Sequence, residues 1–364
     1  MSFEYLVGTQ TKPLSWLNDA ELLAYSQGDL LVCGKSRIER TVCSLPIGGY
    51  KALFKKSRLV SRLLRIEPRA ALVVGENVLV AWMGSVLLVS LESGAVREIL
   101  KPREGFSNPL YFTSTNAQGD FLAYWGDYGT NSDRNEVNIY GLTTGGAAKI
   151  VYTFANGRIR HVHGIVGRRL GGYYILTGDM EPDSGIYIAS DDFSKVEPLA
   201  VGEQCYRGVR GFSVADGLVY ATDSASIENH LYRLTEGSSS GDGVFSIEDL
   251  GVTNGPCIYG GPCGEGFVFT TTVEPDESQH GLASNLSTKL GPGVKTAEAT
   301  AIFVDSECRP KEIARLKTDG KPLRLLQYGA IMLPSGAVPD AKSYAFARSL
   351  RNLDGKTIKM EVKQ

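Results

Sequence analysis

The feature that most constrains this chain is a repeat of short, strand-like runs with no long helical periodicity between them. They include DLLVCGK (29–35), ENVLVAWM (76–83), DFLAYWGDY (120–128), GYYILTG (172–178), GIYIAS (185–190), GLVYATD (217–223) and GFVFTTTVEP (266–275). Val, Ile, Tyr, Phe and Thr fill these runs, while Gly, Asn, Asp and Ser bound them, as strands separated by tight turns require. In several places an apolar strand reaches a small polar turn and continues into a weaker strand. These turns fall near Thr41, Ser90, Gly141, Ser190, Thr235, Asp305 and Leu350, at spacings of 49, 51, 49, 45, 70 and 45 residues. A unit of about 50 residues with four short strands cannot bury both faces alone, but a ring of such units can. The pattern predicts an all-β fold, a β-propeller of seven blades (six as the alternative) built from four-stranded antiparallel sheets.

A single propeller domain over 1–364 follows, with loop insertions near 237–243 and 277–299 accounting for the long spacing. The second insertion is expected as a surface loop that can cover the channel mouth. Hydrophobic residues make up 43% of the chain, enough for a core of this size, and the 42 glycines suit its many turns. A net charge of −2 gives nucleic acid no basic face to bind, and no apolar run is long enough for a membrane helix. The start, MSFEYLVGTQTKPLSW, lacks a basic segment followed by an apolar one, so a cytoplasmic location is expected. The six cysteines, Cys33, Cys43, Cys205, Cys257, Cys263 and Cys308, contain no CxxC pair and are expected as reduced thiols. KALFKKSRLVSRLLR (51–65) is the one basic run and is expected as a solvated face.

Chemistry concentrates between Arg158 and Asp223. Two of the four histidines, His161 and His163, stand two apart, which on a strand puts both rings on one face. Such a pair can be satisfied by backbone, can ligate a divalent metal (Mn, Zn or Ca), or can divide acid/base and binding roles. Asp179, Glu181 and Asp183 follow a strand end, where they serve either acid/base chemistry or turn capping. Asp223 ends the next run. Arg160, Arg207 and Arg210 suit forked recognition of a carboxylate or sulfate, or structural ion pairs; Arg65 and Arg134 are weaker candidates. Trp125, Tyr128, Tyr206 and Tyr259 can stack on sugar faces or pack between blades. GSSSG (237–241) matches GxSxG only within the Gly/Ser-rich insertion and not at a strand-to-helix elbow, and no dinucleotide fingerprint or phosphate loop is present. His161, His163, Asp179, Gln204, Arg207 and Asp223 are expected to converge at one end of the central channel, because equivalent strand ends of successive blades meet there. Opposite charges would then lower the proton affinity of the acids and raise that of the histidines.

The turn IYIASDDFSKVEPL (186–199) resembles a decayed Asp-box, with Ser190 and Asp192 in the first two motif positions and Phe193-Ser194 near the glycine position. GLTTGGAAKIVYTF (141–154) keeps the glycine alone. The wider pattern resembles sialidase-like, glycosyl-hydrolase-like (BNR, Asp-box) propellers associated with bacterial and archaeal polysaccharide genes. Its marks here are Gly126-Asp127-Tyr128 with Asn131 and Arg134, Arg160-His161-Val162-His163-Gly164, Thr177-Gly178-Asp179, Gln204-Cys205-Tyr206-Arg207 and Thr222-Asp223-Ser224. The resemblance implies a carbohydrate-active enzyme cleaving a glycosidic bond in an acidic oligo- or polysaccharide, as a sialidase-like glycoside hydrolase. It implies His161, His163, Asp179 and Asp223 as catalytic, with Arg160, Gln204, Arg207, Arg210, Asp127, Tyr128 and Arg134 holding substrate. The set His161, His163 and Gln204 is similar to the metal ligands of some propeller lyases that cleave uronate polymers, so a metal-dependent lyase is one alternative. A non-catalytic glycan- or protein-binding propeller is the other.

Overall fold

The computed structural model describes residues 7–34, 37–115, 119–237, 245–336 and 342–361. Seven antiparallel sheets follow one another along the chain as blades 1 to 7 of a propeller. In each four-stranded blade the strands lie side by side in chain order, so short hairpins suffice to build it. The innermost strands are Lys12–Asn18, Ala71–Val74, Thr113–Ser114, Val162–Gly167, Gly208–Val214, Tyr259–Cys263 and Ala330–Met332. Blade 7 has three strands of its own, and the N-terminal segment joins its outer edge: Val7 bridges Thr357, and the Gly8 amide donates to the Thr357 carbonyl at 2.9 Å. The two ends of the described chain thereby close the ring.

Each blade is buried on both faces by its neighbours, which explains the nearly unbroken apolar second and third strands. Val78, Val80 and Val89 pack against Leu23 and Leu30 between blades 1 and 2. Tyr124 and Ile139 meet Tyr173 and Ile175 between blades 3 and 4. Trp16, Leu22 and Tyr344 fill the junction of blades 7 and 1. Outer strands carry the polar residues, as in the exposed stretch Ile38–Ser44. The seven turn anchors fall one per blade, five of them in or just after the third strand, Leu350 after the second strand of blade 7 and Thr41 in the outer strand of blade 1. The long spacing arises in blade 6, where residues 271–297 separate strands Gly266–Thr270 and Glu298–Val304. The insertion expected at 237–243 lies almost wholly outside the described residues.

Three short helices interrupt the strands, Lys51–Phe54, Arg58–Leu64 and Gly281–Asn285. The first two hold the basic run, which is exposed at Lys56 and Arg65 as expected and departs from a solvated face at Arg58 and Arg62. Arg62 is 1% exposed and donates to Asp319 at 2.5 Å and Asp354 at 3.2 Å, while Arg58 pairs with Asp354 and Glu67. The six cysteines are free, four of them buried. No helix among the described residues is long and apolar enough to cross a membrane.

Candidate metal and acid/base centre

His161 directly precedes the inner strand of blade 4, and His163 lies within it. Their rings stand 4.8 Å apart and are 1% and 2% exposed. His161 Nδ1 lies 2.5 Å from the Gly129 carbonyl, and His163 Nδ1 lies 3.0 Å from the Gly208 carbonyl. A carbonyl only accepts, so both Nδ1 atoms donate and a neutral ring keeps its lone pair on Nε2. Both Nε2 atoms face Asp179, at 3.5 Å for His161 and 3.2 Å for His163. Two lone pairs opposed to a carboxylate repel unless a cation joins them. His161 Nε2 is buried without a hydrogen bond, and burial lowers the proton affinity of that ring despite the nearby Asp179 carboxylate.

Asp179 is held in place by backbone strain and close packing. Its φ is +121°, a region that costs a non-glycine residue on the order of 1–3 kcal/mol and that clusters at working sites. A Cβ on the preceding Gly178 would lie 2.6 Å from His163 and 2.9 Å from Arg207, so only glycine lets the turn approach both. Arg207 donates to the Asp179 carbonyl at 2.7 Å and to its carboxylate at 3.2 Å, and stands 3.9 Å from Asp223. Burial pushes the Asp179 carboxyl up, but the two imidazoles facing it outweigh that and hold the group well below the usual range.

Asp179, Arg207 and Asp223 open onto a cavity of about 1080 Å³ at one mouth of the channel. Tyr128, Arg160 and Gln204 also line it, so most of the expected convergence is present; the histidines form the layer behind Asp179. The expected uniform shifts are not present. Burial dominates at Asp223 and raises its carboxyl despite Arg207, just as it lowers His161.

Several candidates lie elsewhere. Asp127 is buried against Arg103 and the Asn138 amide, and Arg134 is committed to the buried Asp183. Neither Asp127 nor Arg134 lines the cavity. Arg210 lines a different cavity, three residues along the strand from Arg207. Gln204 gives its amide nitrogen to Ser184 Oγ at 3.1 Å and the Asp179 carbonyl at 3.5 Å. Asp179 supplies a potential ligand beside the histidines: one atom from each of His161, His163 and Asp179 fits within a span of 4.8 Å. Trp125 is a core residue stacked on Tyr140, and Tyr206 packs on Phe245. Glu181 lines the cavity beside Met180.

Sequence reasoning missed Glu274, Arg324 and Tyr328, which also line the cavity. Burial and the Asp223 charge push the Glu274 carboxyl up to about 8. A signal for it existed: Asp179, Asp223 and Glu274 each lie one to four residues beyond the second strand of blades 4, 5 and 6. The 277–299 insertion does reach the mouth, where Glu277 and Asn285 line its edge. Among the described residues Arg65, Arg160 and Arg324, all on this cavity, form no ion pair, leaving cationic surface for an anionic ligand.

No protein-family profile matches the chain, and no curated protein matches it. Solved structures share its fold. An oligogalacturonate lyase from Vibrio parahaemolyticus aligns with a TM-score of 0.52 at 7% identity, over 92% of this chain and 89% of that one. An oligogalacturonate lyase in complex with manganese aligns with a TM-score of 0.51 at 8% identity, over 94% and 91%. The tricorn protease aligns with a TM-score of 0.49 at 11% identity; this chain spans 35% of that longer protein. At such identities the likeness is one of fold.

Proposed function

We propose that this propeller binds a divalent metal through His161, His163 and Asp179 and cleaves a uronate-containing glycan by β-elimination. The observation that carries the reading is the pair of Nδ1-tethered imidazoles aiming two Nε2 lone pairs at one carboxylate. Donors about 2.1 Å from a shared ion stand about 3–3.5 Å apart, as the Nε2–carboxylate pairs do, and the full span of 4.8 Å requires the ligands to draw together on binding. Two nitrogens and one oxygen suit Mn or Zn better than Ca, which takes oxygen ligands. Two fold relatives, one an oligogalacturonate lyase and one an oligogalacturonate lyase in complex with manganese, lend support.

Bound there, the metal would neutralise the sugar carboxylate and so acidify the adjacent C–H. The chain's own groups supply the rest. Arg207, with unpaired Arg160 and Arg324 on the same wall, binds and orients an anionic sugar through forked hydrogen bonds. Asp223 and Glu274 do not ionise together readily, and the one beside Arg207 ionises first. Asp223 therefore takes the proton from C5, the C4–oxygen bond breaks, and a C4=C5 double bond forms. The departing oxygen keeps the electron pair and receives the proton that Glu274 holds at neutral pH. Hydrolysis by the same acid pair, as in a sialidase-like glycosidase, is the competing outcome.

Incubation of the full chain with Mn²⁺ and acidic oligosaccharides, oligogalacturonate first, separates the two. Elimination gives new reducing ends together with the ultraviolet absorbance of an unsaturated uronate. Glu274→Gln then lowers the rate by about 10²–10⁴-fold. New reducing ends without that absorbance would establish hydrolysis, and no cleavage of any acidic glycan would leave a binding propeller.

A further inference from the structure

The channel has a second cavity, of about 570 Å³, lined by inner-strand residues from all seven blades and separate from the candidate centre. Arg210 projects into it. Successive residues of a strand rise about 3.3 Å, so Arg210 sits about 10 Å further along the channel than Arg207. A register shift between Gly208 and Arg210 re-aims the strand there, and Gly260 makes room: a Cβ at that position would lie 3.2 Å from Arg210 Cγ and 2.6 Å from the Val268 carbonyl. Ile258 lines the first cavity and Tyr111 the second, and the Tyr111 hydroxyl donates to the Ile258 carbonyl between them.

Arg210 is a cation without a counter-charge. Among the described residues it has no ion pair and no hydrogen bond, and its Nε is buried and unsatisfied. Its guanidinium lies 4.7 Å from the Tyr111 ring centre and 5.0 Å from that of Phe212. Burial lowers its proton affinity, and Tyr111 is the one group that opposes. The cavity's one acid, Glu265, sits on an exposed turn. Arg210 is only half-buried, yet the part of its charge that is desolvated meets no acid, and aromatic faces recover a small part of that cost. A planar fork of free N–H groups between ring faces, inside a cavity of ligand size, matches an oxyanion attached to an apolar body.

We infer that Arg210 forms a second ligand site at the far end of the channel, taking a small organic oxyanion, carboxylate or phosphate, whose apolar part lies against Tyr111 and Phe212. The site is independent of the elimination reading, and its test uses neither metal nor saccharide. Benzoate and phenyl phosphate are titrated separately into the metal-free full chain, with the thermal midpoint and calorimetric heat as readouts. At least one probe should raise the midpoint saturably; which one does so identifies the oxyanion. Arg210→Met should abolish that response and, with the unpaired charge gone, unfold at a higher temperature than the wild type when no probe is present. Arg210→Lys keeps the charge but loses the fork, so its affinity should fall about tenfold or more, which covers the case in which the Met variant fails to fold. No saturable response to either probe, or an unchanged response in Arg210→Met or Arg210→Lys, overturns the inference.

Discussion

Two buried clusters of charge in this propeller differ in how their charges are met. Around Arg62, beneath the short helix Arg58–Leu64, each cation has acids at hand: Arg62 bonds Asp319, Asp354 and the Leu326 carbonyl, and Arg58 bonds Asp354 and Glu67. Burial pushes Asp319 and Asp354 up, but the arginines outweigh it and hold both below the usual range. Around Asp179 the balance fails. Burial raises Asp223 and Glu274 and lowers His161, and one imidazole nitrogen has no hydrogen bond. Desolvating charge is costly in both places. The first cluster meets that cost within the chain and ties the helix to blades 6 and 7. The second leaves it unmet, which is the physical mark of groups reserved for a ligand.

The largest expected effect tests the first half of this contrast. Arg62→Met removes the shared cation and leaves Asp319 and Asp354 buried with reduced compensation, so stability should fall by about 3–5 kcal/mol. Denaturant unfolding measures it, and a loss below about 1 kcal/mol would mean that the network is not structural.

A smaller effect tests the second half. The folded-state value of Glu274, about 8, lies above its unfolded value, so the native chain holds a proton that the unfolded chain releases. Stability from this group is fully present below the unfolded carboxyl range and is lost as pH rises towards about 8. The slope approaches at most about 1.4 kcal/mol per pH unit. Glu274→Gln should flatten the pH dependence of unfolding between pH 5 and about 8 and leave the mutant the more stable at the upper end. A steep slope that survives the substitution would assign the pH dependence to other groups.

The same contrast shows what the sequence could reveal. The ring was legible because blades must repeat, and the repeat left one polar turn per blade; at one of them Phe193 stacks on Tyr173 in the core while Asp192 bonds Ser190 and Ser194 at the turn. His161, His163, Asp179, Arg207 and Asp223 were legible because propeller geometry gathers equivalent strand ends. Glu274 was lost among the threonines of TTTVEP, which hide where the strand stops. Arg62 was lost because a basic run shows no sign of the acids more than 250 positions away that bury it. Arg207 and Arg210 looked alike in sequence, and a register shift sends them to different cavities. Pairing across long separations decides which charges are met, and a linear pattern does not record it.

The central claim is that His161, His163 and Asp179 hold a divalent ion. Titration of the metal-free full chain with Mn²⁺, following the free ion by electron paramagnetic resonance, tests it directly. The account predicts one ion bound per chain, lost in His161→Ala and in His163→Ala and retained in Arg210→Lys. Absence of binding by the wild-type chain, or binding that survives removal of either imidazole, would contradict it.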